Sequence, residues 1–536
     1  MKRREQREPG YDHESLLAGQ IAACISILSF LYYLRNDALL MYGDAVAHMN
    51  IARRVIDSMT PGPLQLGTVW LPLPHILMIP FVASKWMWQT GIGGSVPSMI
   101  AYVLSVVGIL RLVRDTLSRE TAPDYAARTA GWIAALTFTA NPNLIYLQTT
   151  AMTEPLCVAL LVWSLVYFSE FVRNASGTAL TRCGLCVLAA CLTRYDGWFL
   201  SAVLCSVSLM LAVRNRSLFR PLLRFLLLAV AGPLLWLGYN WIIYQNPLEF
   251  ANGAYSAKAI QARTMQAGAI NPAQHSLHTA ATFFLKAAKM SAAEGNWQNL
   301  WVFFAICGIA AIAFERRLWP LLLLWSPLPF YTLSLAYGDV PIYLPVWWPF
   351  SYYNVRFGIE LLPAFAVSAA LTTYLFAKLW QKPHSRPAAA FTALVLVAGS
   401  YYTVWRAQPI TYREAFINSR GRIALEADVA GTLMLLPDGT TYLMYLGDHV
   451  GAMQRAGIPL SHVIHEGNHR TWKKPSDPEG LWERALADPA RYADFVIAFA
   501  GDPVSTAVRD KGLQTIMVIH STGQPEATIY RARVGR

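Results

Sequence analysis

The sequence predicts a polytopic α-helical membrane protein of about eleven spans, followed by a small soluble α/β domain. Three observations predict it. Hydrophobic residues make up 55% of the 536 positions and charged residues only 14%, with a mean hydropathy of +0.34, a balance foreign to soluble chains of this size. Apolar runs long enough to cross a bilayer recur between short, arginine-bearing loops, the alternation that the positive-inside rule produces. From residue 406 the pattern changes to short β-branched runs alternating with helix-like stretches.

Other classes are excluded by the same numbers. The net charge of +12 is spread over many loops instead of one stripe, so it reads as topology and not as a nucleic-acid surface. Aromatic residues at 12%, with 18 Trp, suit two interfacial belts. The seven Cys lie in apolar runs; Cys183 and Cys186 have redox-motif spacing but open a hydrophobic span, where buried free thiols are expected.

Residues 1–15 carry Lys2, Arg3, Arg4 and Arg7 and are expected to stay cytoplasmic. Residues 16–34 form the first span, an anchor without a small-residue cleavage site. The chain then emerges on the outer face at Asp44, followed by an amphipathic helix with Ala45, Met49, Ala52 and Ile56 on one side. Asp44 is read as a carboxylate held at the interface; the competing reading is a helix N-cap. Residues 69–88 are nearly long enough to cross. A crossing there would carry Arg111 and Arg114 to the wrong side, and Pro72 and Pro74 disfavour a straight helix. The segment is therefore expected to be a re-entrant or interfacial helix on the outer face.

Further spans are expected at 97–110, 130–147, 155–171, 185–193, 197–213, 225–244, 300–314, 318–335, 361–376 and 387–405, with basic returns between them. The resulting domains are 1–15, a membrane domain 16–405, and an extracytoplasmic α/β domain 406–536. The last has strands near 441–446, 461–465, 495–499, 515–520 and 527–531. His462, His465 and His469 alternate along a strand without Cys and are expected to face solvent.

Three outer loops converge with Asp44. The first contains Asn141-Pro142 and ends in Glu154, the second spans 245–295, and the third contains Tyr353, Arg356 and Glu360. Ionisable residues near membrane depth are costly and point to function, although a lone arginine there usually snorkels to water.

Gly43-Asp44-Ala45-Val46-Ala47-His48, Leu192-Thr193-Arg194-Tyr195-Asp196-Gly197-Trp198 and Asn354-Val355-Arg356-Phe357-Gly358 resemble segments of the GT-C glycosyltransferases. The nearest branch is that of the protein O-mannosyltransferases and aminoarabinose transferases, and the likeness covers roughly the membrane part. The chain carries one acid after the first span where that family has a pair, and Glu154 stands where an Asp is common. The resemblance implies transfer of a sugar, with inversion, from a polyprenyl-phosphate donor to a hydroxyl on an extracytoplasmic glycan, lipid or protein. Asp44 would be the base, with Glu154 beside it. Arg356 and His75 would meet the donor phosphate, and His48, Arg194, Asp196, Glu360 and Tyr353 would support them. No cofactor is required, and a divalent metal is compatible with the scheme without being indicated by it. The expected location is the plasma or inner membrane. The rival class is a transporter or flippase; release of lipid phosphate would separate the two. The soluble domain is expected to tune acceptor choice without supplying chemistry.

Overall fold

The computed structural model describes residues 12–118, 125–213, 218–253, 255–266, 270–379, 385–468 and 480–533. The N-terminal basic cluster and His469 lie outside them. Among the described residues eight helices are long and apolar enough to cross a membrane, and the chain is a multi-pass membrane protein. Nine predicted spans fall on single helices, whereas 130–147 is broken at Asn141 and 318–335 is a 3₁₀ stretch, Arg316–Trp325, followed by a short α-helix. The shortfall against eleven comes from three helices, 15, 15 and 18 residues long. Fifteen residues rise only about 22 Å, against about 30 Å of hydrocarbon.

The chain starts with α1 (His13–Arg35), capped by Asp12, whose side chain accepts from the Ser15 amide. Arg114 near the end of α5 (Ile92–Leu117) pairs with Asp12 at 2.7 Å and Glu14 at 3.2 Å, and Arg128 in α6 (Tyr125–Thr139) pairs with Glu14 at 2.8 Å. The start of α1, the end of α5 and the start of α6 therefore share one end of the bundle. The other end of α1 leads to α2 (Gly43–Arg54), and α6 leads there through Asn141 and α7 (Pro142–Leu147) to α8 (Glu154–Asn174).

Residues 69–88 do not form one long helix. They fold as α3 (Leu73–Val82) and the start of α4 (Lys85–Thr90), with Ser84 capping the second. Ten residues rise about 15 Å, half the hydrocarbon thickness. Of the apolar positions predicted on α2, Ala45, Met49 and Ala52 are buried and Ile56 is exposed. Met49 reaches Gly94 of α5, where an added Cβ would lie 2.3 Å from Ala151, so only glycine allows this approach.

The bundle continues with α9 (Gly177–Cys191), α10 (Asp196–Val213) and α11 (Phe219–Tyr244). The second long loop holds α12 (Glu249–Asn252), α13 (Ala257–Gln266) and α14 (Leu277–Met290). Then follow α15 (Gln298–Phe314), α16 (Pro327–Tyr337), a 3₁₀ stretch Val355–Leu361, α17 (Leu362–Leu379) and α18 (Ser385–Ala407). Helix α19 (Ile410–Leu433) leads into the last domain.

That domain is a five-stranded sheet in the order β2-β1-β3-β5-β4. Strands β1 (Tyr442–Met444), β2 (Val463–Ile464) and β3 (Phe495–Phe499) are parallel, whereas β5 (Ala527–Arg531) runs antiparallel to β3 and to β4 (Gln514–Ile519). All five coincide with predicted strands. His465 departs from expectation: it is fully buried, with Nδ1 accepting from the Gly467 amide at 3.0 Å. The domain docks on α2. Asn50 donates to Gln454 at 2.8 Å, Asp57 accepts from the Leu460 and Ser461 amides, and Arg54 pairs with Glu466 at 3.5 Å.

Candidate active site

Most of the charged residues singled out in the sequence start a helix or sit just before one. Asp44 lies in the first turn of α2, Glu154 is the first residue of α8 and Asp196 the first of α10. Arg356 and Glu360 occupy the 3₁₀ stretch that enters α17. Carboxylates are favoured at such positions by the unpaired amides of a first helical turn. Asp44 is no cap: α2 has Tyr42 at its N-cap position, without a side-chain capping bond.

Arg356 joins these elements. Its Nη2 donates to Asp44, its Nε to Glu154 Oε1 at 3.1 Å, and its Nη1 to Glu414 Oε1 at 3.1 Å. The second Glu414 oxygen accepts from the Arg356 amide at 3.1 Å. The guanidinium also lies 5.1 Å from the rings of Tyr42 and Phe357. Gly358 lets this stretch lie against α14, since a Cβ there would stand 2.4 Å from the Ala287 carbonyl carbon.

Arg194 is a second hub. It pairs with Glu154 Oε1 at 3.3 Å, Asp196 at 3.4 Å and Glu360 at 3.8 Å. It also donates to the Thr153 and Tyr331 hydroxyls at 2.9 Å each. A single Glu154 oxygen thus bridges both arginines. Glu154, Glu360 and Glu414 are buried, whereas the Asp44 side chain is 42% exposed. Asp44 is therefore the carboxylate that a ligand can reach.

The remaining predicted residues fall into two groups. His48 and His75 pair with each other, Nδ1 to Nε2 at 2.9 Å, under the ring of Trp70. Burial, with Arg194 and Arg356 nearby, pushes the His48 pKa down to about 3, and burial holds His75 well below the usual range. Both are neutral at pH 7. The expected phosphate role of His75 is not what the geometry supports: it is completely buried and its Nε2 is turned to His48. Tyr353 bridges its backbone to Tyr343 and keeps an exposed ring. Burial and the Asp44 carboxylate push its phenol up.

Two expectations are corrected here. Arg356 does not snorkel to water, because each of its nitrogens is held by a carboxylate. The region after residue 406 does contribute to the site, through Glu414 on α19. Sequence reading missed Glu414 because the helix reads as part of a soluble domain; the available signal was an acid one turn into the helix that follows the last membrane span.

The fold is thus a membrane bundle that gathers charged residues at one end, beside a short juxtamembrane helix and under an α/β domain. Two solved structures share it. ArnT from Cupriavidus metallidurans bound to undecaprenyl phosphate matches with a TM-score of 0.56 and 12% identity over 98% of each chain. ArnT from the same organism in the apo state matches with a TM-score of 0.54 and 13% identity, over 94% of this chain and 97% of ArnT. No protein-family model and no curated protein matches the sequence. The shared fold extends beyond the membrane part and includes the C-terminal domain.

Proposed function

We propose that the protein is an integral-membrane glycosyltransferase that moves a sugar from a polyprenyl-phosphate donor to an extracytoplasmic acceptor hydroxyl with inversion. The observation that carries this reading is Asp44, the reachable carboxylate of the Arg194–Arg356 cluster, held by an arginine at the end of the bundle opposite the Asp12–Arg114 cluster. ArnT, which has this fold, was solved with undecaprenyl phosphate, and that supports a lipid-phosphate donor here.

In this scheme the acceptor oxygen attacks the anomeric carbon from the face opposite the phosphate. The bond from that carbon to the phosphate oxygen breaks, and its electron pair leaves on the phosphate. The acceptor proton passes to Asp44. Arg356 Nη2, the guanidinium edge turned to the exposed acid, is where an arriving phosphate would be met. The phosphate would take this nitrogen from Asp44 and free the carboxylate to act as base. Glu154 and Glu414 fix the guanidinium while that exchange occurs. The N-terminus would be cytoplasmic and the site extracytoplasmic, following the basic loops.

The test is turnover by purified protein in detergent, offered a panel of polyprenyl-phosphate sugars. Release of polyprenyl phosphate, accelerated by an acceptor, is the expected result. Binding of such lipids without release of phosphate would favour a flippase and overturn the reading.

A further inference from the structure

One turn along the same elements lies a second cluster that the transfer scheme does not use. Cys157 follows Glu154 by three residues on α8, and Glu360 follows Arg356 by four. With Asp196 they offer one sulfur and two carboxylate oxygens, all within 4.8 Å of one another. The three line a small cavity together with Leu161, Leu200 and Ser326. Glu360 is 1% exposed, and its Oε1 has no hydrogen-bond partner among the described residues. Its nearest cation, Arg194 Nε, is 3.8 Å away, beyond hydrogen-bond reach. Asp44, Glu154, Asp196, Glu360 and Glu414 find ion-pair partners only in Arg194 and Arg356 among those residues. With the exposed Asp44 set aside, four acids still share two arginines, and buried charge in such excess is ordinarily met by protons or a metal ion.

We infer that Cys157, Asp196 and Glu360 bind a divalent cation of the zinc class behind the Asp44–Arg356–Glu154 site. The donor set of thiolate plus carboxylates suits a borderline cation better than magnesium or calcium. Zinc takes sulfur at about 2.3 Å and oxygen at about 2.0–2.2 Å, which sets tetrahedral ligands roughly 3.5 Å apart. Cys157 Sγ and Asp196 Oδ1 already stand at 3.3 Å, and Glu360 completes the set by turning its unpartnered oxygen inward. On binding, the thiol gives up its proton to solvent. The ion ties α8, α10 and the 3₁₀ stretch together, and so fixes Arg194 and the Glu154 oxygen that Arg194 shares with Arg356.

The probe is Co²⁺ alone, titrated into chelator-stripped full-length protein in detergent. A saturable sulfur-to-cobalt charge-transfer band should appear, vanish in Cys157→Ser and weaken in Glu360→Gln. Zn²⁺ should raise the Tm of the parent but not of Glu360→Gln, a readout that survives if the cysteine variant does not fold. No band and no Tm shift in the folded parent would overturn the site, and so would an undiminished band in folded Cys157→Ser. Neither measurement involves sugar donor, so failure here leaves the transfer scheme standing.

Discussion

Replacing Arg356 by methionine removes the group that three carboxylates share, and the cost can be worked from their burial. Glu154 keeps a partner, because Arg194 Nη1 stays 3.3 Å from the same oxygen. Glu414 does not: its side chain is 1% exposed, and Arg356 is its only ion-pair partner among the described residues. Breaking one buried pair costs about 3–5 kcal/mol, and that is the expected loss for Arg356→Met. Arg356→Lys keeps the charge at a single atom, which cannot face Asp44, Glu154 and Glu414 together as three guanidinium nitrogens do. Losing one charge-assisted hydrogen bond predicts about 1.5–3 kcal/mol for that variant. The assay is reversible unfolding in detergent followed by tryptophan fluorescence, with Glu414→Gln added to Arg356→Met to complete a cycle. The orphaned acid should be relieved by the amide, so the double variant should be more stable than Arg356→Met alone. An Arg356→Met protein within about 0.5 kcal/mol of the parent, the range of ordinary surface substitutions, would refute the hub.

Glu414→Gln alone should slow donor turnover, and truncation after Arg406 should abolish donor hydrolysis as well as transfer, both read as lipid phosphate release. His48 gives a pH signature. Its folded pKa of about 3 lies below the ordinary 6.5, so the unfolded chain takes up a proton first and stability is complete only above pH 6.5. It should fall as the pH drops below 6.5 and go on falling toward pH 3, and His48→Gln should flatten the profile of Tm against pH. Trp86, 63% exposed on α4, should as Trp86→Cys react with an impermeant thiol reagent added from outside, in a background without native thiols. Labelling only after permeabilisation would reverse the orientation assigned to this segment.

Sequence patterning carried the architecture because hydrophobic runs and basic loops are local signals. The helices expected from 16–34 to 387–405 and all five strands of the last domain follow from periodicity and charge, whereas the division of 69–88 into two short helices at Ser84 was not expected. The site was legible only in part. Asp44, Glu154 and Arg356 stand out as charges in a charge-poor region, and the structure joins them across separations of 312 and 202 residues. What they hold could not be read, since a string of residues does not say which nitrogen of Arg356 faces which acid. Glu414 stayed hidden because α19 has the composition of a surface helix. The partner of His75 turned out to be His48, two helices meeting through side chains that each read as a free polar group.

The central claim is that Asp44 is the base, and the most direct measurement is donor turnover by Asp44→Asn in folded, inserted protein with matched Tm. The amide keeps the shape and removes the basicity. The account predicts a loss of roughly two to four orders of magnitude in acceptor-dependent release of polyprenyl phosphate. Turnover close to that of the parent would contradict it and leave Asp44 as a counter-ion to Arg356.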